Sequence, residues 1–389
     1  MMSHIKTGLE VLKAENFKRL EGQRVGLMTN PSGVDSALNS TYKLFSEASN
    51  VHLTALFAPE HGFSGMVPDG IEVDSTIDRR TGLPVHSLYQ AGFHSLPDML
   101  RDLDVLVCDI QDIGVRYYTF IWTITFLIEA CGQSGIRIII LDRPNPLGGM
   151  TVEGPLVEPD QFSLVGHFPV PIRHGLTVGE MAQMVNALWN STPADLTIVP
   201  CQGWQRSTLW EETRLPWIPP SPNMPHLSTL HQYPGACLIE GTTLSEGRGT
   251  ALPFEIVGAP FIDSLDLADA LNGLNLAGVH FRPHGFMPTS SKWAGQACGG
   301  VQVYITGAWQ PIQTWLHVIL TVRQLYPDQF QWLPPFPTGQ QTFDRLIGSA
   351  KVRPQIEADA GIGQITGDWE NAASEFKEKS RAFYLYPDC

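Results

Sequence analysis

Hydrophobic runs alternate with amphipathic stretches through the first half of the chain. The short apolar runs lack strict polar alternation, which is typical of strands buried on both faces of a sheet, and the stretches between them have helical spacing. Strands are predicted at 24–29, 51–58, 85–89, 104–110, 136–142 and 196–200, and helices at 41–49, 96–102, 119–134 and 177–190. This alternation predicts an α/β fold with a Rossmann-like, doubly wound parallel sheet.

The pattern changes in the second half. Between about 203 and 260, prolines, glycines and tryptophans predict long ordered loops rather than a continuous helix or strand. A second set of helical and strand-like runs follows between 264 and 326. Because 389 residues exceed one ordinary core of ~150 residues, we predict a Rossmann-like catalytic domain at 1–228 and a smaller α+β domain at 229–389 that contributes loops to the cleft.

Three of the predicted strands run directly into polar clusters. The sequence PEHG follows the second strand, DIQD ends the fourth, and DRPNP follows the fifth. Ligands of open α/β sheets bind beyond the carboxyl ends of the strands, where the strand order reverses, so we expect these clusters to form one site. Its candidate residues are Glu60, His61, Asp109, Asp112, Asp142, Arg143 and Asn145.

The acids of these clusters suit general acid–base catalysis. Glu60 and His61 share a tight glycine turn at a strand end, although capping of that turn is the structural alternative. Strand alternation sends Asp109 and Gln111 to one face, so Asp112 needs the turn to reach the site. For one of these two aspartates the structural alternative is a helix cap or a partner of Arg116.

Basic residues at the strand ends are candidates for substrate binding. Arg143 lies in a rigid proline loop and either clamps a substrate carboxylate or holds a neighbouring aspartate. Arg173 and His174 form another strand-to-helix loop, before a helix that Thr177 and Glu180 are predicted to start as a capping box. His174 alone is more typical of a structural histidine.

The loops of the second half add further candidates. Asn223 lies in the loop SPNMP, and Glu240, Glu246 and Arg248 lie in EGTTLSEGRGT. Glu246 and Arg248 suit either a structural ion pair or closure of the site over a substrate. Tyr117 is a candidate for an aromatic wall of a binding pocket.

Composition excludes some classes of function. The formal charge of −14 argues against a nucleic-acid surface, which needs a basic face. The six cysteines have no CxxC spacing, so neither a zinc knuckle nor a redox pair is indicated, and the stretch 120–131 is too short to span a membrane. The first residues lack an apolar signal region, which favours a cytoplasmic location; a periplasmic or secreted location stays open if a leader precedes this sequence.

Together these motifs resemble the bacterial exo-β-N-acetylmuramidase family, formerly a domain of unknown function. The resemblance covers nearly the whole chain, and the segments VPDGIEV (67–73) and QAGFHS (90–95) look like local variants. The motifs that carry it include PEHGFSG (59–65), LDVLVCDIQDIGVRYYTFIWT (103–123), LDRPNPLGG (141–149), PIRHGLTVGE (171–180), SPNMP (221–225) and EGTTLSEGRGT (240–250).

The resemblance implies hydrolysis of N-acetylmuramic acid from the non-reducing ends of peptidoglycan fragments, in cell-wall turnover and recycling, with no redox cofactor. It implies that Glu60 is the prime catalytic residue. The second group stays open among Asp109, Asp112, Glu246 and the substrate's own acetamido group. The cation that would select the lactyl carboxylate stays open among Arg143, Arg173 and Arg248, and Tyr118 and Trp293 join Tyr117 as candidates for the aromatic wall.

Two other classes of function remain open. A metal-dependent hydrolase or deacetylase of amino sugars would use His61, Asp109, Asp112 and His174 as ligands, although we predict no metal. A non-catalytic muropeptide-binding protein would use the same cleft without chemistry. The convergence of several acids where strands end favours an enzyme.

Overall fold

Two main sheets, of seven and three strands, organise the described residues, and a third sheet has only two strands. The computed structural model describes residues 5–68, 70–71, 74–89 and 95–389, so parts of the variant segments 67–73 and 90–95 lie outside the described residues. The strands are β1 (Arg24–Thr29), β2 (His52–Ala58), β3 (Thr76–Ile77), β4 (Pro84–Ser87), β5 (Val105–Asp109), β6 (Arg137–Leu141), β7 (Glu153–Leu156), β8 (Pro171–Arg173), β9 (Leu196–Val199), β10 (Ile256–Ala259), β11 (Val279–Phe286) and β12 (Cys298–Ile305).

Helices cover both sheets. None of those within the described residues has the length and apolar character needed to cross a membrane. They are α1 (Gly8–Ala14), α2 (Thr41–Glu47), α3 (Leu96–Leu100), α4 (Thr119–Ser134), α5 (Val178–Leu188), α6 (Trp210–Thr213), α7 (Leu227–Ala236), α8 (Ser264–Gly273), α9 (Pro311–Leu325), α10 (Thr342–Ile347), α11 (Val352–Glu357), α12 (Ile362–Thr366) and α13 (Trp369–Ser380).

The larger sheet has the order β3-β4-β2-β1-β5-β6-β9, and only the short β3 is antiparallel to its neighbour. Taken in chain order, its six parallel strands lie as 3-2-1-4-5-6, which is the order of doubly wound sheets. The order reverses between β1 and β5, where a ligand crevice is expected. The predicted α/β class, with its mostly parallel sheet and smaller second region, is confirmed.

Successive side chains of the central strands point to opposite faces of this sheet and pack into two separate hydrophobic cores. On β5, Val105 and Val107 pack in one cluster with α1, whereas Leu106 and Cys108 pack in the other with α4. Because both faces of these strands are buried, successive positions must be apolar. The continuous apolar runs in the sequence predicted this burial. The predicted start of α5 is also confirmed. The side chains of Thr177 and Glu180 each accept a hydrogen bond from the other residue's backbone N–H, which forms a capping box.

The smaller sheet is antiparallel, in the order β10-β12-β11, and packs with α8 and α9. The prediction that 203–260 contains only loops is wrong, because α6, α7 and β10 lie within it. Pro234 lies inside α7, although proline disfavours the interior of a helix. Close packing on α9 overrides that preference: a Cβ on Gly235 would lie 2.2 Å from the Pro311 carbonyl oxygen, so only glycine allows the approach.

A buried arginine joins the two parts of the chain. Arg116, which is 0% exposed, donates hydrogen bonds to the carbonyl oxygens of Pro155 at 2.8 Å, Val170 at 3.0 Å and Leu346 on α10 at 2.5 Å. Burial lowers its pKa to about 10, which still leaves the guanidinium charged at neutral pH. This cation therefore fixes α10 against the loop between β5 and α4.

We expect Arg116→Met to lower the free energy of unfolding by about 3 kcal/mol or more, because each buried carbonyl left without a donor costs about 1–3 kcal/mol. Thermal and urea unfolding measure the change. Arg19→Met, which removes an exposed pair with Glu15, is the matched control and should leave the midpoint nearly unchanged. Equal midpoints for both variants would contradict the role of Arg116.

Candidate active site

A cavity of about 350 Å³ opens at the carboxyl edge of the larger sheet. The turn after β2 and the loop between β5 and α4 form one side of it. Segments of the second half, including α7, the loop after it and α10, form the other side. Its lining includes Glu60, His61, Tyr117, Tyr118, Thr119, Phe120, Ser221, Asn223, Tyr233, Glu240, Arg248, Phe254, Phe336, Thr342, Arg345 and Leu346.

Glu60 projects into this cavity from a tight turn. The Gly62 N–H donates to the Pro59 carbonyl at 3.0 Å, and His61 and Gly62 both have left-handed φ values, of 71° and 75°. The Glu60 carboxylate accepts hydrogen bonds from the Thr119 hydroxyl at 2.7 Å and from the Gly70 N–H at 3.2 Å. It makes no ion pair within the described residues. The carboxylate is thus oriented without being neutralised.

His61 lines the cavity beside Glu60, but its ring is held by local contacts. Nδ1 lies 2.8 Å from the Val67 carbonyl oxygen, and the ring meets Phe120 edge-on at 6.4 Å. The hydrogen bond fixes the ring orientation. His61 therefore forms part of the wall next to the candidate acid.

Glu240 and Arg248 form a second polar group in the lining. Arg248 donates to Glu240 Oε1 through Nε at 3.0 Å and Nη2 at 2.5 Å. Burial raises the pKa of Glu240, while Arg248 opposes the shift. Behind them, Glu246 is 1% exposed and pairs with Arg248 at 3.3 Å and Lys292 at 2.7 Å. The structural alternative predicted for Glu246 therefore fits its position, and it does not line the cavity.

Aromatic rings form an apolar wall. Tyr233 of α7 meets Tyr117 edge-on at 6.1 Å, Tyr118 at 6.2 Å and Phe254 at 4.7 Å. The Tyr117 hydroxyl donates to the Pro234 carbonyl at 3.0 Å. Trp293, the other ring predicted for this wall, instead donates to the Thr243 carbonyl at 2.7 Å and does not line the cavity.

The aspartate that ends β5 has a structural partner. Asp109 is 0% exposed and forms a two-point ion pair with Arg143, with 2.6 Å from Nε to Oδ1 and 3.0 Å from Nη2 to Oδ2. Thr41 also donates to Asp109. Neither member of the pair lines the cavity. The catalytic role expected for Asp109 and the substrate clamp expected for Arg143 do not fit these positions, because each neutralises the other.

Asp112 lies behind the cavity wall. Its Oδ2 accepts the Gly114 N–H at 2.7 Å, whereas Oδ1 is buried and has no hydrogen-bond partner in the described part of the chain. Burial raises the pKa of Asp112 to about 7. Burial, with the nearby Asp112 and Glu60, also raises the pKa of Tyr118. Asp112 does not line the cavity, so the structure separates it from Glu60 by the wall.

The other strand-end candidates stabilise loops away from the cavity. Asn145 donates to the Leu176 carbonyl at 2.9 Å. Arg173 pairs with Glu153 at 3.6 Å. His174 Nδ1 accepts the Leu176 N–H at 3.1 Å, and burial together with two nearby arginines lowers its pKa to about 3, so it stays neutral. The substrate-binding roles expected for these three do not fit their positions, because none of them lines the cavity.

The four side chains proposed as metal ligands are not brought together. Across the described ranges, no three His, Cys, Asp or Glu side chains are arranged to hold an ion. Asp109 is occupied by Arg143, and His174 lies in a different loop from His61. The metal-hydrolase alternative thus lacks its ligand set.

Several lining residues were missed by the sequence analysis. Thr119 and Ser221 are single hydroxyls inside recognised motifs, and their place in those motifs was the only available signal. Tyr233 lies in a segment predicted to be loop. Arg345 lies on a short C-terminal helix far from every motif, so nothing local indicated a role.

This concave site has an aromatic wall, a few converging polar groups and one carboxylate that makes no ion pair with the described residues. Such a site is typical of an enzyme that acts on a small polar ligand. Residues 25–228 match the family model described as exo-beta-N-acetylmuramidase NamZ, N-terminal, and residues 231–386 match its C-terminal counterpart. The chain therefore belongs to the exo-beta-N-acetylmuramidase NamZ family and is a glycosidase.

Individual relatives agree with this assignment. The chain is 44% identical over 384 residues to the peptidoglycan beta-N-acetylmuramidase NamZ of Bacillus subtilis (strain 168), covering 98% of this chain and 91% of that protein. A solved DUF1343 family protein of Bacteroides fragilis superposes with a TM-score of 0.90 at 39% identity, covering 98% of this chain and 99% of the other. A second one has a TM-score of 0.77 at 31% identity and full coverage of both chains.

The raised pKa of the buried Asp112 carboxyl predicts how the stability of the protein depends on pH. Because its folded pKa is raised to about 7, the folded protein holds a proton that the unfolded chain releases above its ordinary pKa of 3.8. The wild-type protein should therefore lose stability as the pH rises from about 4 to 7. Asp112→Asn should lack this loss, so its thermal midpoint relative to wild type should rise between pH 5 and pH 8. A difference that is independent of pH would contradict the shift.

Proposed function

We propose that this protein is an exo-acting glycosidase that releases N-acetylmuramic acid from the non-reducing ends of peptidoglycan fragments. The observation that carries the proposal is the place of Glu60, which lies in a cavity of about 350 Å³ with no ion-pair partner in the described part of the chain. A cavity of this size suits a small ligand. The named activity of the Bacillus subtilis relative supports the same substrate class.

Glu60 is the proposed general acid and base. In glycoside hydrolysis one carboxylic acid protonates the oxygen of the leaving group, and its conjugate base then takes a proton from the attacking water. The hydroxyl of Thr119 and the N–H of Gly70 hold the carboxyl group in one orientation, which favours transfer along a fixed direction. His61 supports the turn that presents Glu60.

The second participant is proposed to be the substrate itself. Among the described lining residues the other carboxylate is Glu240, and it is compensated by Arg248. Asp109, Asp112 and Glu246 lie outside the lining, so the catalytic roles predicted for them have no support from position. This arrangement favours attack at the anomeric carbon by the substrate's 2-acetamido oxygen, with Glu60 protonating the leaving oxygen.

The remaining lining residues are proposed to bind the sugar. The rings of Tyr117, Tyr118 and Tyr233 provide an aromatic surface against which a sugar ring can pack. Glu240 and Arg248 offer an acceptor and a donor on the opposite side. Asn223 lines the same cavity and adds an amide.

We propose that the chain divides near residue 228 into a Rossmann-like catalytic domain and a smaller domain that completes the cleft. The strand order of the larger sheet supports the first part, and the lining residues of α10 support the second. We also propose a role in cell-wall turnover and recycling. A cytoplasmic location is supported by six free cysteines, five of them buried.

Glu60→Gln should lower turnover of a chromogenic N-acetylmuraminide by at least ~100-fold while the thermal midpoint changes little, since general acid–base help contributes typically ~100- to 10,000-fold. Glu211→Gln, which changes a glutamate that pairs with His231 outside the cavity, is the matched control and should retain activity. Near-normal turnover by a folded Glu60→Gln protein would remove Glu60 from the catalytic role.

The enzyme should release single N-acetylmuramic acid units from chain ends and leave internal bonds intact. A cavity of about 350 Å³ bounded by segments of both halves suits a single terminal sugar. Intact glycan strands would be digested, and the products sized over time alongside an assay of free monosaccharide. A rapid fall in mean chain length with little monosaccharide would mean internal cleavage and would overturn exo action.

A further inference from the structure

One cation in the cavity wall has no acidic partner within the described residues. Arg248 is paired with Glu240 and Glu246, and Lys292 behind it is paired with Glu246. Arg345 also lines the cavity, but no carboxylate of the described chain lies within ion-pair distance of its guanidinium. Its positive charge is therefore not neutralised by the wall.

The fold directs Arg345 into the cavity. Thr342, Arg345 and Leu346 lie three and four positions apart on α10, so they share one face, and all three line the cavity. The opposite face carries Phe343 and Ile347, which are buried in the core. Their burial fixes the rotation of α10 about its axis, and with it the direction in which Arg345 points.

The surroundings of the guanidinium leave donors for a ligand. It stacks over the Phe336 ring at 4.2 Å, and its Nε is buried without a hydrogen-bond partner in the part of the chain that the structure describes. Burial lowers the pKa of Arg345. A partly buried cation with unused donors is costly unless an anion meets it, and stacking on an aromatic ring leaves the edge of the guanidinium exposed to one.

We propose that Arg345 binds the lactyl carboxylate of the terminal N-acetylmuramic acid residue, an inference that rests on the proposed function. This carboxylate distinguishes the proposed sugar from N-acetylglucosamine. A planar guanidinium matches a carboxylate with two parallel hydrogen bonds, so it selects for that group. The three arginines favoured by the sequence are less suited: Arg143 and Arg173 lie outside the cavity, and Arg248 is already paired.

The test is binding of N-acetylmuramic acid and of its lactyl methyl ester, measured by calorimetry. The ester keeps the shape of the sugar but removes its charge. Wild type should bind the acid roughly 10- to 100-fold more tightly than the ester, the range expected for hydrogen bonds to a charged group. Arg345→Gln should bind the two within about 3-fold of each other, with ester affinity near that of wild type. Arg345→Lys should keep part of the preference.

Arg381→Gln is the matched control, because Arg381 is exposed and pairs with Glu378 outside the cavity. It should keep the full preference. Equal binding of acid and ester by wild type, or an unchanged preference in folded Arg345→Gln, would overturn the inference. If that variant does not fold, an unchanged preference in Arg345→Lys would overturn it instead.

The proposed function and the role of Arg345 can be contradicted by different results. A wild-type protein that prefers the acid but releases no N-acetylmuramic acid from glycan ends would overturn the hydrolysis and leave the role of Arg345 intact. A wild-type protein that hydrolyses glycan ends but binds acid and ester equally would overturn the role of Arg345 and leave the proposed hydrolysis intact.

Discussion

The buried ion pair between Asp109 and Arg143 joins the ends of three neighbouring strands. Asp109 ends β5, Arg143 follows β6, and Arg143 also donates to the Val34 carbonyl in the loop after β1 at 2.9 Å. Removing one member of such a pair leaves an uncompensated buried charge, which typically costs about 3–5 kcal/mol. The pair therefore fixes the edge of the sheet on which the loops that line the cavity depend.

This constraint explains where the chemistry lies. The polar residues at the ends of β5 and β6 are occupied in holding the edge, and Asp142 likewise accepts from Thr177 at 2.7 Å and Tyr386 at 2.6 Å. The carboxylate of Glu60, which makes no ion pair in the described part of the chain, comes instead from the turn after β2. The rest of the cavity is supplied by long segments of the second half, so the site requires both parts of the chain.

The apolar runs predicted the larger sheet well, because a strand buried on both faces leaves a continuous hydrophobic signal. The same reasoning drew attention to the turn after β2, and Glu60 of that turn lines the cavity. The roles of Asp109 and Arg143 were ambiguous, because an aspartate and an arginine at strand ends give the same sequence pattern whether they form a buried structural pair or an active-site pair. Arg345 could not be found, because its role depends on Phe336 and on cavity residues far away in the chain.

The hydrogen bond from Arg116 to Leu346 has a consequence for building chimeras between members of the family. The donor lies in the loop before α4, whereas the acceptor lies on α10, some 230 positions later. Because the acceptor is a main-chain carbonyl, a transplanted C-terminal half would still supply one, but the transplanted α10 would have to place it within reach of the Arg116 guanidinium. Hybrids should therefore be designed with these two segments exchanged as a pair, even though they lie on opposite sides of the junction between the two family models.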